Sequence, residues 1–254
     1  MPAPQNQFKA ALKADKSLIG CWVGLADPYV AEITGSAGFD WLLIDCEHAP
    51  NDLRSMMTQL KVLEASDSFP AVRLPIGETW MIKQFLDAGA QTLLIPMVES
   101  KAQAEELVRA VRYPPNGVRG VGAALARASH FAGIPDYLTT ANQEICLLVQ
   151  VETREALSQI KEIAQVPGVD GVFFGPADLA ASFGYPGQPS HPEVKKAILD
   201  GIGLLQDLGV PAGILSLDQD FLREAKVAGA SFIAVDVDSG LLRRSAVARR
   251  SEWS

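Results

Sequence analysis

Hydrophobic positions along this chain fall into two alternating patterns. Short, nearly continuous apolar runs appear at 19–24, 41–45, 71–74, 92–96, 145–151, 171–174, 212–215 and 232–235. Unbroken apolarity over such short spans predicts parallel strands covered on both faces, because a strand with one wet face would alternate. Between these runs, segments 52–65, 101–112, 154–165 and 192–208 carry apolar residues at three- and four-residue intervals, the stripe of a helix lying on a sheet. Gly89, Gly209 and Gly229 each follow a last turn, where a helix end favours a left-handed residue. Eight strands, seven intervening helices and one more at the end predict a single-domain (β/α)8 TIM barrel over 1–254. An open doubly wound sheet is the alternative, yet neither G-x-G-x-x-G nor a Walker pattern opens a helix here.

One connection breaks the rhythm. Residues 113–144, beginning Y-P-P-N-G-V-R-G, form a stretch far longer than most connections in a compact domain. We expect it to be partly helical, with glycines that let it approach the site.

Composition narrows the function classes. With 48% hydrophobic and 20% charged residues the chain can bury a sizeable core. Its 22 basic against 30 acidic side chains, net −8, argue against nucleic acid and anionic membranes as partners. The one basic stretch, 243–250, falls where a last helix would end and its dipole favours cations. Cys21, Cys46 and Cys146 are widely spaced in or beside apolar runs, which suits small buried residues in a reducing compartment. The N-terminus lacks the apolar core of a secretory signal, and no run approaches the roughly 20 residues of a membrane helix. A cytoplasmic location is the expectation.

In such barrels the chemistry sits at the C-terminal ends of the strands. The second strand ends in Asp45, with His48 three residues on; the third carries Arg73. The fifth carries Gln150 and Glu152 on one face, since strand side chains repeat every two residues. The sixth runs into G-P-A-D (175–178) and delivers Asp178, while the seventh and eighth end in Ser216 and Asp236. Singly, each has a plain structural reading: Arg73 as a buried ion-pair partner, Glu152 as an acid near a helix N-terminus, Asp178 as a helix cap, His48 as a loop residue. Gathered on one rim, they imply chemistry.

Glu152 and Asp178 leave neighbouring strand ends, about 5 Å apart in a sheet. Two carboxylates without a nearby thiolate or second imidazole suit a hard divalent cation, Mg2+ or Mn2+. A 2-oxo acid would chelate that ion through its carboxylate and keto oxygens. Arg73 would stabilise the charge that builds on the keto oxygen, and the amides of the G-P-A-D turn would hold the carboxylate. Asp45 and His48 would supply the base, through a metal-bound water.

L-I-D-C-E-H-A-P-N, V-R-L-P, L-V-Q-V-E-T and F-F-G-P-A-D-L-A, with Y-P-P-N-G-V-R-G in the long connection, resemble the metal-dependent class II pyruvate aldolases. These include the 4-hydroxy-2-oxoheptanedioate and 2-dehydro-3-deoxyglucarate aldolases, within the larger group of citrate-lyase-like barrels. The resemblance spans nearly the whole chain. It implies reversible cleavage of 4-hydroxy-2-oxo acids to pyruvate and an aldehyde through an enolate, on Mg2+ or Mn2+ with Co2+ as a further option. It implies Glu152 and Asp178 as metal ligands, Arg73 as enolate stabiliser, and the His48–Asp45 pair for proton transfer. Gln150 would hold a water beside the metal, Gly175, Pro176 and Ala177 would form the carboxylate-binding turn, and Trp22 and Leu215 would line the pocket.

It further implies a homo-hexamer, a trimer of dimers with the last helix exchanged between subunits. Cys46 stands where many relatives have glycine. Two other readings stay open: an acyl-CoA lyase of the same larger group, and a barrel that binds a metal–oxo-acid complex without turnover. Glu47 receives no role. Arg119 and Arg127, in the long connection, are either contacts for an acidic aldehyde or solvated surface.

Overall fold

The computed structural model describes residues 1–253, which form a closed barrel of eight parallel strands. The strands are β1 (Leu18–Val23), β2 (Trp41–Asp45), β3 (Phe69–Arg73), β4 (Thr92–Ile95), β5 (Cys146–Val151), β6 (Gly171–Phe174), β7 (Ala212–Leu215) and β8 (Ala230–Val237). They follow one another around the barrel, and β8 pairs back on β1. β2, β6 and β7 keep the predicted bounds; the others shift by one or two residues where a strand runs into its turn.

The helices are α1 (Gln7–Lys13), α2 (Pro28–Gly35), α3 (Leu53–Leu63), α4 (Thr79–Asp87), α5 (Lys101–Ala110), α6 (Tyr137–Glu144), α7 (Arg154–Ser158), α8 (Ile160–Ala164), α9 (Pro176–Ser182), α10 (Pro192–Asp207), α11 (Gln219–Val227) and α12 (Asp238–Ser251). The single helix predicted over 154–165 is two short ones, broken at Gln159, whose φ of −108° and ψ of 9° leave the helical basin. Helix α1, ahead of the first strand, was not expected.

Side-chain alternation sorts each strand into two cores. Trp22, Trp41, Leu43, Ala71, Leu94, Leu148, Phe173 and Phe232 fill the barrel interior. Cys21, Leu42, Ile44, Val72, Leu93, Val149 and Val172 point outward, under the helices. Bulky rings inside need bare backbone opposite them. A Cβ on Gly20 would lie 2.3 Å from Trp41, and one on Gly213 2.1 Å from Phe232. Phe8 of α1 closes the foot of the barrel, its ring 5.7 Å from Trp41 and 5.8 Å from Phe232. The parity that places Trp41 and Leu43 inside also turns Asp45 inward, as Ala71 does for Arg73 and Leu148 for Gln150.

The long connection does not approach the site, contrary to expectation. It leaves the C-terminal end of α5 at the foot of the barrel and stays there. Tyr113, Ile134, Tyr137 and Ala141 pack with Ala3 in a separate small core, which anchors the segment at that end. Arg119 is wholly buried, pairs with Asp87 at the end of α4 and lies 4.3 Å from the Tyr113 ring. Arg127 donates to the Ala88 carbonyl and pairs with Glu64. Neither arginine is free surface, and neither faces the mouth of the barrel.

The three cysteines are free and buried. Among the described residues no helix is long and apolar enough to cross a membrane. Helix α12 leaves Leu241, Leu242 and Val247 exposed, with Trp253 just beyond it.

Candidate active site

A cavity of about 370 Å³ opens at the C-terminal end of the strands, bordered by Trp22, His48, Arg73, Gln150, the 175–178 turn and Leu215. Asp45 and Arg73 are register partners on β2 and β3 and face the same way. Arg73 donates from Nε to Asp45 Oδ1 at 2.8 Å and from Nη2 to Oδ2 at 2.7 Å. Such a planar, two-pronged pair fixes orientation as well as charge. The guanidinium also lies 5.4 Å from the Trp22 ring. Its Nη1 is 2.8 Å from Glu47 Oε2, an ion contact without hydrogen-bond geometry.

Burial pushes the Asp45 carboxyl up, but the hydrogen bonds and charge of Arg73 outweigh it and hold Asp45 below its usual range. Burial likewise opposes the charge on Arg73, and Asp45, Glu47 and Glu152 together raise it. At Glu47 burial wins, and the carboxyl is raised despite Arg73 and His48.

The expected His48–Asp45 pair does not form. Asp45 reaches only backbone N–H groups on that side, of Glu47 at 3.0 Å and of His48 at 3.4 Å. Strand parity turns Asp45 inward, where Arg73 takes both oxygens, while His48 lies beyond the strand end. The His48 imidazole is mostly exposed, and Glu47 approaches it, Nε2 to Oε1 3.8 Å.

Glu152 follows the end of β5 and is buried. Its Oε1 accepts the Met97 N–H at 2.8 Å and its Oε2 accepts Gln150 Nε2 at 2.6 Å. Burial, with the nearby charges of Asp178 and Glu47, pushes its carboxyl up to about 7 against the pull of the Met97 amide. Asp178 lies in the first turn of α9, whose N-cap is Gly175 and whose first residue is Pro176; it makes no capping hydrogen bond. A Cβ on Gly175 would come within 2.5 Å of Glu152 Oε2, so only glycine leaves this corner open. Gln150 Oε1 is buried without a hydrogen-bond partner among the described residues.

Met97 was missed by sequence reasoning. It sits in the left-handed region at φ 54°, costly for a side-chain-bearing residue, and so aims its amide at Glu152. Nothing in the letters P-M-V signals that torsion.

The corner fits a hard divalent cation. Its donors are all oxygen, an amide oxygen is orphaned beside them, and glycine keeps the space clear. No group of three or more His, Cys, Asp or Glu side chains converges as a metal cage among the described residues. The protein would therefore supply two ligands and leave the other positions to small molecules.

Residues 18–245 match the HpcH/HpaI aldolase/citrate lyase family. The chain belongs to that family. It is 56% identical to the hydroxypyruvate/pyruvate aldolase of Roseovarius nubinhibens over 253 residues, covering 100% of this chain and 98% of that one. It is 52% identical to the 4-hydroxy-2-oxo-heptane-1,7-dioate aldolase of Escherichia coli, covering 96% and 93%. The crystal structure of a family member from Burkholderia cenocepacia, 40% identical, superposes with a TM-score of 0.93 over 98% of this chain and 100% of that one. The chain is thus a carbon–carbon lyase, an aldolase that cleaves 2-oxo acids to pyruvate. The acyl-CoA lyase and non-catalytic readings give way to it.

Proposed function

We propose that Glu152 and Asp178 hold Mg2+, Mn2+ or Co2+, and that the residues around them divide the aldol reaction between binding, charge stabilisation and proton transfer. The observation that carries this is the corner that Gly175 leaves open against the buried Glu152 carboxylate, which is held by a Gln150 amide whose oxygen has no partner. When bound, the cation polarises the keto oxygen of the 2-oxo acid and stabilises negative charge on it.

Everything else falls to side chains and backbone. The turn formed by Gly175, Pro176 and Ala177 opens α9 and receives the substrate carboxylate on backbone amides. Gln150 turns its oxygen toward a water or substrate hydroxyl. Arg73, already locked by Asp45, presents a fixed positive charge to the keto oxygen and need not reorganise as charge develops. Trp22 and Leu215 wall the reacting carbon off from water. In cleavage, the C4 hydroxyl loses its proton to His48, the C3–C4 bond breaks, and its electron pair moves into the enolate. An aldehyde departs, and the protonated His48 passes its proton to C3 of the enolate, which yields pyruvate and returns the imidazole to its neutral form.

The same reading includes a homo-hexamer, a trimer of dimers with α12 exchanged. The exposed apolar side chains of α12 support it.

The decisive measurement is exchange of pyruvate methyl protons in D2O, followed by NMR with Mg2+ or Mn2+ present. The parent protein is expected to exchange. His48→Ala should be slower by about 100-fold, with pyruvate affinity held within about threefold. Exchange by His48→Ala at the parent rate would remove His48 from the role.

A further inference from the structure

We propose that Gln103 is a positioning residue for the metal corner: its side-chain amide clasps the turn at 97–99, so that the Met97 N–H holds the Glu152 carboxylate in place for the cation. The inference rests on the reading of Glu152 as a metal ligand. Three consecutive residues beyond β4 grip the end of β5. Met97 N–H donates to Glu152 Oε1 at 2.8 Å, Val98 N–H donates to the Gln150 carbonyl at 3.0 Å, and Glu99 Oε1 accepts the Thr153 hydroxyl at 2.9 Å. With Gln150 Nε2 on its other oxygen, Glu152 has both oxygens held, which fixes the plane of the carboxylate.

The first of these contacts depends on an unfavourable torsion. Met97 lies at φ 54°, and a residue with a Cβ stays in the left-handed region only where its surroundings impose it. Its own side chain does not supply that constraint, being 47% exposed. Gln103, in the first turn of α5, does. Its Nε2 donates to the Met97 carbonyl at 3.1 Å, and its Oε1 accepts the Glu99 N–H at 2.9 Å. One planar amide thus bonds the backbone on both sides of Val98, which is wholly buried, and closes the turn into a ring.

The plain reading of Gln103 is a helix cap. Residues 100–103 have the S-x-x-Q spacing, and Ser100 Oγ accepts the Gln103 N–H at 3.2 Å. In an ordinary capping box, however, the glutamine reaches back to the N–H of the cap residue itself. Here it passes Ser100, takes the N–H of Glu99 and gives its own N–H to the Met97 carbonyl. The helix start gains nothing from that last bond, whereas the Met97 torsion does. Without it Met97 would relax toward negative φ and turn its N–H off Glu152. Partners that orient a metal ligand are worth about 10- to 100-fold in metal affinity, and Gln103 acts one bond further out, which sets the lower end as the expectation.

The test is Mn2+ binding by calorimetry on the metal-free full chain, with the melting temperature measured alongside. Gln103→Ala should weaken Mn2+ binding about tenfold. Gln103→Glu keeps the helix start and the acceptor for the Glu99 N–H but loses the donor to Met97, so it should fold. It should still bind Mn2+ about threefold or more weakly, although its added negative charge alone would tighten a cation. Ser100→Ala removes the cap and leaves both side-chain bonds of Gln103 in place. It should melt lower yet bind Mn2+ within about twofold of the parent. Parent affinity in a folded Gln103 variant, or an equal loss of affinity in Ser100→Ala, would overturn the inference. Glu152→Gln separates the two readings. Lost Mn2+ binding there, with parent affinity in the Gln103 variants, sinks only the clasp; parent affinity in Glu152→Gln removes Glu152 as a ligand and the inference with it.

Discussion

Asp45 and Glu152 are both buried carboxylates on one rim, and their surroundings drive them apart. Asp45 faces Arg73 and is depressed, so its contribution to stability is present above the ordinary carboxylate range and lost as pH falls through its folded value. Glu152 is raised to about 7 by its burial, with the nearby acids adding to it. Its folded form binds a proton that the unfolded chain has released, so that contribution is lost as pH climbs from the ordinary value toward 7. The metal-free protein should therefore melt lower at about pH 8 than at about pH 6, with Glu152→Gln flattening the difference. With Glu152 as a metal ligand, as proposed, protons and the cation would compete for the same oxygens, so Mn2+ affinity by calorimetry should fall about tenfold per pH unit below 7 and level off above it. At this scale the sequence showed which acids reach the rim, because alternation along a strand is written in the chain. It did not show who pairs with whom. Asp45 meets Arg73 through the register of two strands, and that register leaves His48 beside Glu47, the one charge given no role.

At the scale of elements, apolar runs marked every strand because both faces of each are covered. Helix α1 escaped notice because seven residues are too few to show a stripe. Its effect is nonetheless large: Phe8 is 1% exposed and touches two interior rings. Phe8→Ala should cost about 3–5 kcal/mol in denaturant unfolding, since the rings it seats cannot collapse into the space. A loss below about 1 kcal/mol would show that α1 is not a stopper but a loose flap. The long connection was recognisable as unusual by length alone. Its destination was not, since the partners that hold it (Ala3, Glu64, Asp87) lie far away in sequence.

The barrel as a whole was legible because one unit repeats until the sheet closes. The assembly rests on the resemblance and on what α12 leaves uncovered. Sedimentation should show a hexamer, and a chain ending at Ser239, which keeps the Asp238 contacts to the Gly24 and Leu25 amides, should fall to smaller species. A full-length monomer would refute the exchanged-helix arrangement. The stoppered foot carries a consequence for traffic. With Phe8, Trp41 and Phe232 plugging one end, the interior is a blind well rather than a tunnel. Whatever rests at its floor must enter before, and leave after, whatever rests at its lip; depth alone then dictates the queue.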